Sequence, residues 1–513
     1  MNYKGIGQIL GKIMILEGIM LIIPCIVSFI YNESIINSVA FIVPMVLLWT
    51  LGIILQHFKP ERKGLYQKEA FATVAFAWII MTLFAAIPYI INREIPNYID
   101  AVFEMMSGFT TTGASIDEDV TLLSHSSLFW RSFTHWIGGM GILVFILIFI
   151  PESKEGSSLY LLKAESPGPK VGKLSSKMKM TSTILYLIYL GLTILEIVFL
   201  LFSPDAIGPD GKVYEMNLFN SMLTAFGTAG TGGFGFVADS MEHFSNYSQY
   251  VISTFLILFG INFSLYFLIL IGKIKAVLKN EELRVYFGVI FAAIALVMFD
   301  LIFDKVNSFA ELKNVNFEET FRISFFQVAS IITTAGYTNA NFDLWPELSK
   351  MVLIILMLTG AMAGSTGGGI KMSRIVIFFK GIVMKIKKII NPRYVANMQL
   401  EGEILEEDTV NDVFAFIAIY ILVIVGVVFI LCFDPACKTF SQPFLTNITA
   451  TISCVSNIGP GLASVGPYAN FAEYSYFSKI ILTLTMLTGR LEIFPVLILF
   501  SKKTWQKMSS STM

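Results

Sequence analysis

The stretch Ala101-Val-Phe-Glu-Met-Met-Ser-Gly-Phe109 runs directly into Thr110-Thr-Thr-Gly-Ala114, and its reading decides the fold. A mostly apolar run of this length cannot cross a hydrocarbon layer about 30 Å thick, which takes about twenty residues as a helix. It lies between two longer apolar segments that can. It therefore reads as a re-entrant half-helix that returns through an irregular loop. Three further runs, Leu218–Phe226, Phe321–Ile332 and Phe444–Val455, have the same character. After them come Gly230-Thr-Gly-Gly-Phe234, Thr333-Thr-Ala-Gly-Tyr337 and Ser456-Asn-Ile-Gly-Pro460. With the first loop they align on Gly113, Gly233, Gly336 and Gly459, spaced by 120, 103 and 123 residues. Recurrence of a whole helix–loop–helix unit marks one supersecondary element repeated four times.

The rest of the chain agrees. Of 513 residues, 55% are apolar and 14% charged, against about 25% charged in a soluble domain. A soluble surface must still be wetted, so the bulk of the chain faces lipid. A net charge of −1 excludes a nucleic-acid binder held by counterion release. The four cysteines and four histidines show neither a disulfide framework nor metal-ligand spacing.

Ten segments reach spanning length: about Ile13–Ile30, Val39–Leu55, Ala70–Ile91, Arg131–Ile150, Ile184–Phe202, Tyr250–Ile271, Val285–Phe303, Met351–Phe379, Val413–Phe433 and Ile480–Phe500. The expected fold is an all-α polytopic membrane protein. Four parallel helix–pore-loop–helix repeats surround a central pore, with an N-terminal helix pair outside them. The divisions are 1–60 for the pair and 61–165, 166–280, 281–395 and 396–513 for the repeats, the third carrying a broken inner helix.

Charge sets the orientation. On the side holding both termini lie 26 of the 36 lysines and arginines, which places termini and basic loops in the cytoplasm. The opposite side, where the half-helices enter, carries Asp117, Glu118, Asp119, Asp205, Asp210, Glu311, Glu318 and Glu319 among other acids. An acidic mouth concentrates cations.

Irregular backbone at membrane depth must be buried in protein or line a watery cavity. Rings of carbonyl oxygens from such loops replace an ion's hydration shell. The candidate filter residues are Thr111, Thr112, Gly113, Thr231, Gly232, Gly233, Thr334, Ala335, Gly336, Asn457, Ile458 and Gly459. With no carboxylate ring, they suit a monovalent cation. A second candidate feature is Gly364-Ser-Thr-Gly-Gly-Gly369, where four glycines in six residues interrupt a span. It reads as a mobile intramembrane loop or, alternatively, as a packing kink. Arg490 falls inside the last span, where charge is costly and by default functional; it either faces the pore or pairs with Glu492 or another helix. Glu196, mid-span, receives no role. Gly230–Gly235 matches the dinucleotide glycine pattern only literally, because no strand precedes it, and no convergent catalytic group is present, so an enzyme is not expected.

The chain resembles the TrkH branch of the Trk/Ktr/HKT superfamily of potassium transporters over nearly its whole length. The motifs are Gly108-Phe-Thr-Thr-Thr-Gly-Ala-Ser115, Trp136-Ile-Gly-Gly-Met-Gly-Ile142, Ala164-Glu-Ser-Pro-Gly-Pro169, Ala363-Gly-Ser-Thr-Gly-Gly-Gly-Ile-Lys371 and Gly489-Arg-Leu-Glu-Ile-Phe494. The resemblance implies K+ as the transported ion, with no organic cofactor, and a bacterial inner-membrane location. It implies a gate at Gly364, Ser365, Thr366, Gly367, Gly368 and Gly369, with Arg490 projecting into the pore as a positive barrier. It also implies a TrkA-like cytosolic nucleotide-binding subunit as partner, besides membrane lipid, and a homodimer. A proton- or sodium-coupled symporter of the same fold is the alternative reading.

Overall fold

A computed structural model describes residues 1–58, 65–117, 119–141, 178–209, 211–303, 317–393 and 398–505. The 164–169 motif, the span beyond residue 141, and Glu118, Asp210 and Glu311 lie outside the described residues. The chain is an all-α polytopic membrane protein. Among the described residues, six helical segments are long and apolar enough to span: Tyr3–Ile30, Ile35–His57, Gln67–Ile91, Ser182–Leu201, Glu281–Ile302 and Glu407–Leu431. Their apolar faces stay exposed, as at Phe29, Ile54, Leu187, Phe291 and Leu422. This is the surface that lipid covers.

The N-terminal pair packs Tyr3–Met20 against Ile35–His57. Gly11 and Gly52 meet at their backbones: a Cβ on Gly11 would sit 3.0 Å from Leu55 Cβ and closer still to the Gly52 carbonyl oxygen. Small residues thus bring the two axes together, as in other membrane helix pairs.

Each repeat then follows one plan. The half-helices are Tyr98–Phe109, Leu218–Gly230, Phe317–Ile332 and Pro443–Ser456. Asn97 and Asn217 cap the first two at their N-termini, Glu318 and Glu319 occupy the first turn of the third, and Pro443 opens the fourth. The helix after each loop is capped by a Ser-x-x-Ser pattern in three repeats: Ser124–Ser127, Ser245–Ser248 and Ser475–Ser478. In the third repeat Pro346 holds the cap position, and Asp300 accepts hydrogen bonds from Ser349 N and Oγ at 2.8 and 2.6 Å.

Two spans expected to be continuous are not, and a third breaks where its glycines lead one to expect. Tyr250–Ile271 is two helices, Asn246–Phe259 and Phe263–Leu270, bent by 90°. The break has a tertiary cause: Gly260 O accepts from Met362 N at 3.1 Å, and Phe263 N donates to Gly364 O at 3.0 Å. The bend exists to receive the glycine stretch. Met351–Phe379 is Glu347–Thr359 and Met372–Ile390 with an irregular loop between. The last span stops at Arg490 and resumes at Phe494. Glu492 and Ile493 between them have φ of 55° and 67°, conformations a β-branched side chain resists. Arg490 therefore ends a helix instead of lying within one.

Candidate functional site

Every half-helix ends in the same way. Thr111, Thr231, Thr334 and Asn457 have φ of 54°, 54°, 61° and 57°. The next residue donates its N–H back into the last turn: Thr112 to Ser107 O, Gly232 to Gly227 O and Ala335 to Ser330 O at 2.8 Å, and Ile458 to Ser453 O at 3.0 Å. This is the Schellman closure, normally built on glycine. Here three of four left-handed positions are threonine, a strain that surrounding packing must hold.

Two residues further on, the aligned glycines are also left-handed, with φ of 79°, 73°, 85° and 104°. Each abuts the next loop in chain order. A Cβ on Gly113, Gly233 or Gly336 would overlap the carbonyl oxygen of Gly232, Ala335 or Ile458 respectively, whereas on Gly459 it would lie 2.9 Å from Thr112 O. The fourth loop thus closes on the first. All four glycines line one cavity of about 150 Å³ that also contacts Ser115, Asp117, Arg131 and Phe471. Four helix C-termini, the negative ends of their dipoles, converge below it.

The ring is not fourfold in detail. Asn457 Nδ2 donates to Thr112 Oγ1 at 3.0 Å and to Met486 O at 2.9 Å. Gly459 O accepts from Ser453 Oγ at 2.6 Å. His135 bridges the first two loops through Gly108 O at 2.8 Å and Phe234 N at 3.3 Å.

Behind the first two loops lies an ion pair that sequence reading passed over. Arg131 Nε donates to Glu104 Oε1 at 2.6 Å, Nη1 to Gly235 O at 2.8 Å and Nη2 to Ser115 Oγ at 3.0 Å. Its guanidinium lies 3.5 Å from the centroid of the Phe234 ring. Glu104 Oε2 accepts from Ile116 N at 2.8 Å. Both members are buried and fully hydrogen-bonded, the condition under which such a pair is tolerated. Asp117, at the cavity mouth, has its carboxyl pushed up to about 7 by burial and by Glu104, against the pull of Arg131.

On the opposite side of the ring sits the irregular stretch 360–371. Gly368 N donates to Thr334 Oγ1 at 2.6 Å, and Thr366 O accepts from Arg490 Nη1 at 2.9 Å. Arg490 Nη2 reaches Gly138 O and, at 2.8 Å, Gly139 O. The arginine thus ties this stretch to the helix His125–Gly139 of the first repeat. Glu492, considered as its partner, instead forms a bidentate pair with Arg374 at 2.5 and 3.1 Å. Lys371, which belongs to the 26 cations on the side of the termini, is buried and donates to Gly367 O. Arg374 is buried likewise. A charge count sees position along the chain, not depth.

The family described as "TrkH: Cation transport protein" matches residues 40–512. The chain is 32% identical to the Trk system potassium uptake protein TrkH of Escherichia coli (strain K12), covering 99% of this chain and 100% of that protein. It is 30% identical to TrkH of Vibrio parahaemolyticus over 99% of this chain and 100% of that one. The crystal structure of the potassium transporter TrkH from Vibrio parahaemolyticus superimposes with a TM-score of 0.83 at 27% identity, covering 99% and 100% of the two chains. Family, fold and full-length coverage agree: this chain belongs to the TrkH family of cation transport proteins.

Proposed function

We propose that the chain conducts K+ into a bacterial cell across the inner membrane, with the four loops as selectivity filter and the stretch 364–369, held by Arg490, as gate. The observation that carries this reading is the closed ring in which Gly113, Gly233, Gly336 and Gly459 line one cavity and each abuts the loop that follows. A ring that a single methyl would disrupt fixes the spacing of its backbone oxygens, and fixed oxygens at helix C-termini replace the water of a small monovalent cation. The relatives named above are potassium uptake proteins, which supports the choice of ion.

Both termini and the basic loops lie in the cytoplasm under this reading. Lys273, Lys275, Lys279, Lys385, Lys387, Lys388 and Arg393 are exposed there. They form a surface for an acidic cytosolic nucleotide-binding subunit of the TrkA kind, and the assembled unit is a homodimer. The five-part division at 60, 165, 280 and 395 follows the repeats.

Rubidium uptake into proteoliposomes, with sodium and proton gradients set independently, tests the reading. Uptake that follows the rubidium gradient alone is the expected outcome. Uptake that requires an inward sodium or proton gradient would replace the channel by a symporter of the same fold.

A further inference from the structure

Glu282 stands apart from both filter and gate in sequence, yet its side chain reaches the two ends of the gate stretch. It sits in the first turn of the helix Glu281–Phe303 and is 4% exposed. Its Oε1 accepts from Ala363 N at 2.8 Å and from Ser373 N at 2.9 Å. Ala363 immediately precedes the glycines, and Ser373 is the second residue of the helix Met372–Ile390. One carboxylate oxygen therefore bridges the two ends of the irregular segment, reinforcing the backbone bonds between them.

The structure assigns Glu282 as the latch of the gate: a positioning residue that holds both ends of residues 363–373 in the closed arrangement. The assignment rests on reading 364–369 as the gate.

Three physical features make the latch effective. The N–H of Ser373 belongs to a helix N-terminus, where donors lack intrahelical partners and a negative charge is favoured. Ala363 N sits in irregular backbone with no helix or strand to satisfy it, so loss of the carboxylate leaves a buried donor exposed to the full cost of desolvation. Glycines supply none of the side-chain packing that would otherwise keep the segment in one conformation. Thr334, Arg490, Gly260 and Phe263 also tie the stretch, Thr366 Oγ1 donates to Phe259 O at 3.3 Å, and two backbone bonds join its ends, Met372 N to Ala361 O at 2.9 Å and Ile370 N to Leu358 O at 3.1 Å. Glu282 alone among the described residues joins its two ends through one side chain.

The position also explains how a closed gate can answer to the cytoplasmic face. Asn280, two residues before Glu282, donates to Glu401 Oε1 at 2.5 Å. Glu281 pairs with Lys380 at 2.6 Å. Movement of the hairpin Gln399–Ile404 or of the helix Met372–Ile390 displaces the start of the Glu281 helix and with it the latch. A differential force on this corner shifts the closed-to-open population without touching the filter.

The test is rubidium flux into proteoliposomes holding the full chain without any cytosolic partner. Glu282→Ala should raise basal flux about tenfold, the effect of one charge-assisted hydrogen bond lost from the closed state. Glu282→Asp, which keeps the charge but shortens the reach, should leak to an intermediate degree. Glu282→Gln, which keeps the acceptor oxygen in place, should restore most of the closure. Arg284→Ala is the control: on the same helix, this exposed side chain bonds only the carbonyl oxygens of Asn280 and Lys279, reaches neither end of the loop, and should leave basal flux unchanged. A merely structural role would lower thermal stability equally in the Ala, Asp and Gln variants without ordering their flux. If Glu282→Ala and Glu282→Asp are both folded and as tight as the parent, the latch is wrong. A chain shortened within 364–369 separates this from the parent reading: raised flux there with flat flux at Glu282 overturns the latch alone, and flat flux in the shortened chain overturns the gate and the latch together.

Discussion

Asn457 Nδ2 lies 3.0 Å from Thr112 Oγ1, so the last loop of the chain is hydrogen-bonded to the first across the ring. Asparagine also suits the left-handed backbone at this position better than threonine does. Asn457→Ala should keep the protein folded while loosening this one junction. The expected result is a several-fold fall in the rubidium-to-sodium permeability ratio, measured from reversal potentials in planar bilayers.

The four glycines should not respond equally to substitution. At Gly113, Gly233 and Gly336 an added Cβ overlaps a backbone oxygen of the next loop; at Gly459 it meets Thr112 O at 2.9 Å and Gly113 C at 3.0 Å, a strained contact that needs a smaller backbone displacement than the other three. Serine at the first three should abolish flux or folding. Gly459→Ser should yield folded protein with relaxed selectivity. Expression, thermal stability and flux of the four single variants, side by side, check the ranking.

Arg374 and Glu492 should couple, and Arg490 and Glu492 should not. The first pair is bidentate at 2.5 and 3.1 Å, while Arg490 is hydrogen-bonded to the carbonyls of Thr366, Gly138 and Gly139. A double-mutant cycle on thermal stability should return a coupling of about 1 kcal/mol or more for Arg374 with Glu492, and near zero for Arg490 with Glu492. Separately, Arg490→Ala should raise flux in the absence of a partner protein.

Removing Arg131 should be far more damaging than the loss of one side chain from the helix His125–Gly139 suggests. Its loss leaves Glu104 charged and buried, at a cost of about 3–5 kcal/mol. Arg131→Ala and Arg131→Lys should both lower the melting temperature sharply, since lysine reproduces neither the fork to Gly235 O and Ser115 Oγ nor the stacking on Phe234. Arg131→Ala with Glu104→Gln should recover part of the loss.

Asp117 sets a pH dependence at the mouth. Burial and the neighbouring Glu104 raise its folded value to about 7, above the ordinary aspartate value of about 4. The native state therefore holds a proton through the interval between them that the unfolded state has given up. The associated stability is complete below about 4 and lost as pH rises through about 7. Over the same upper limb the mouth gains a negative charge. Rubidium uptake at low concentration should rise as pH on that face goes from 6 to 8, and Asp117→Asn should flatten the rise.

The repeated half-helices were legible because their length and their terminal glycines are properties of the chain alone. Even so, the second half-helix extends to Gly230 rather than Phe226, since its glycines and threonine tolerate one more helical turn when packed against His135. The breaks at 260–262 and 491–493 were not legible. Neither contains proline, and the first is fixed by hydrogen bonds to a segment a hundred residues away. The Ser-x-x-Ser caps were visible in the sequence. They escaped notice because the distance from glycine to cap varies between repeats. The burial of Arg131, Lys371 and Arg374 was not legible for a different reason: charge patterning assigns side from sequence position, while burial follows from carbonyls and carboxylates that only the folded chain supplies.

The closure of the fourth loop onto Thr112 also bears on biosynthesis. A ribosome must insert almost the entire polypeptide before Gly459 exists to complete the ring that Gly113 began. Until then the nascent chain holds three quadrants with an open seam. A truncated product lacking the final repeat has no Asn457 to hold Thr112 and no Arg490 to hold the carbonyl of Thr366. Because the four quadrants share one covalent chain, the cell cannot assemble a ring from mismatched copies, and each quadrant is free to specialise: asparagine in the fourth, threonine in the others, and a glycine loop beneath only the third.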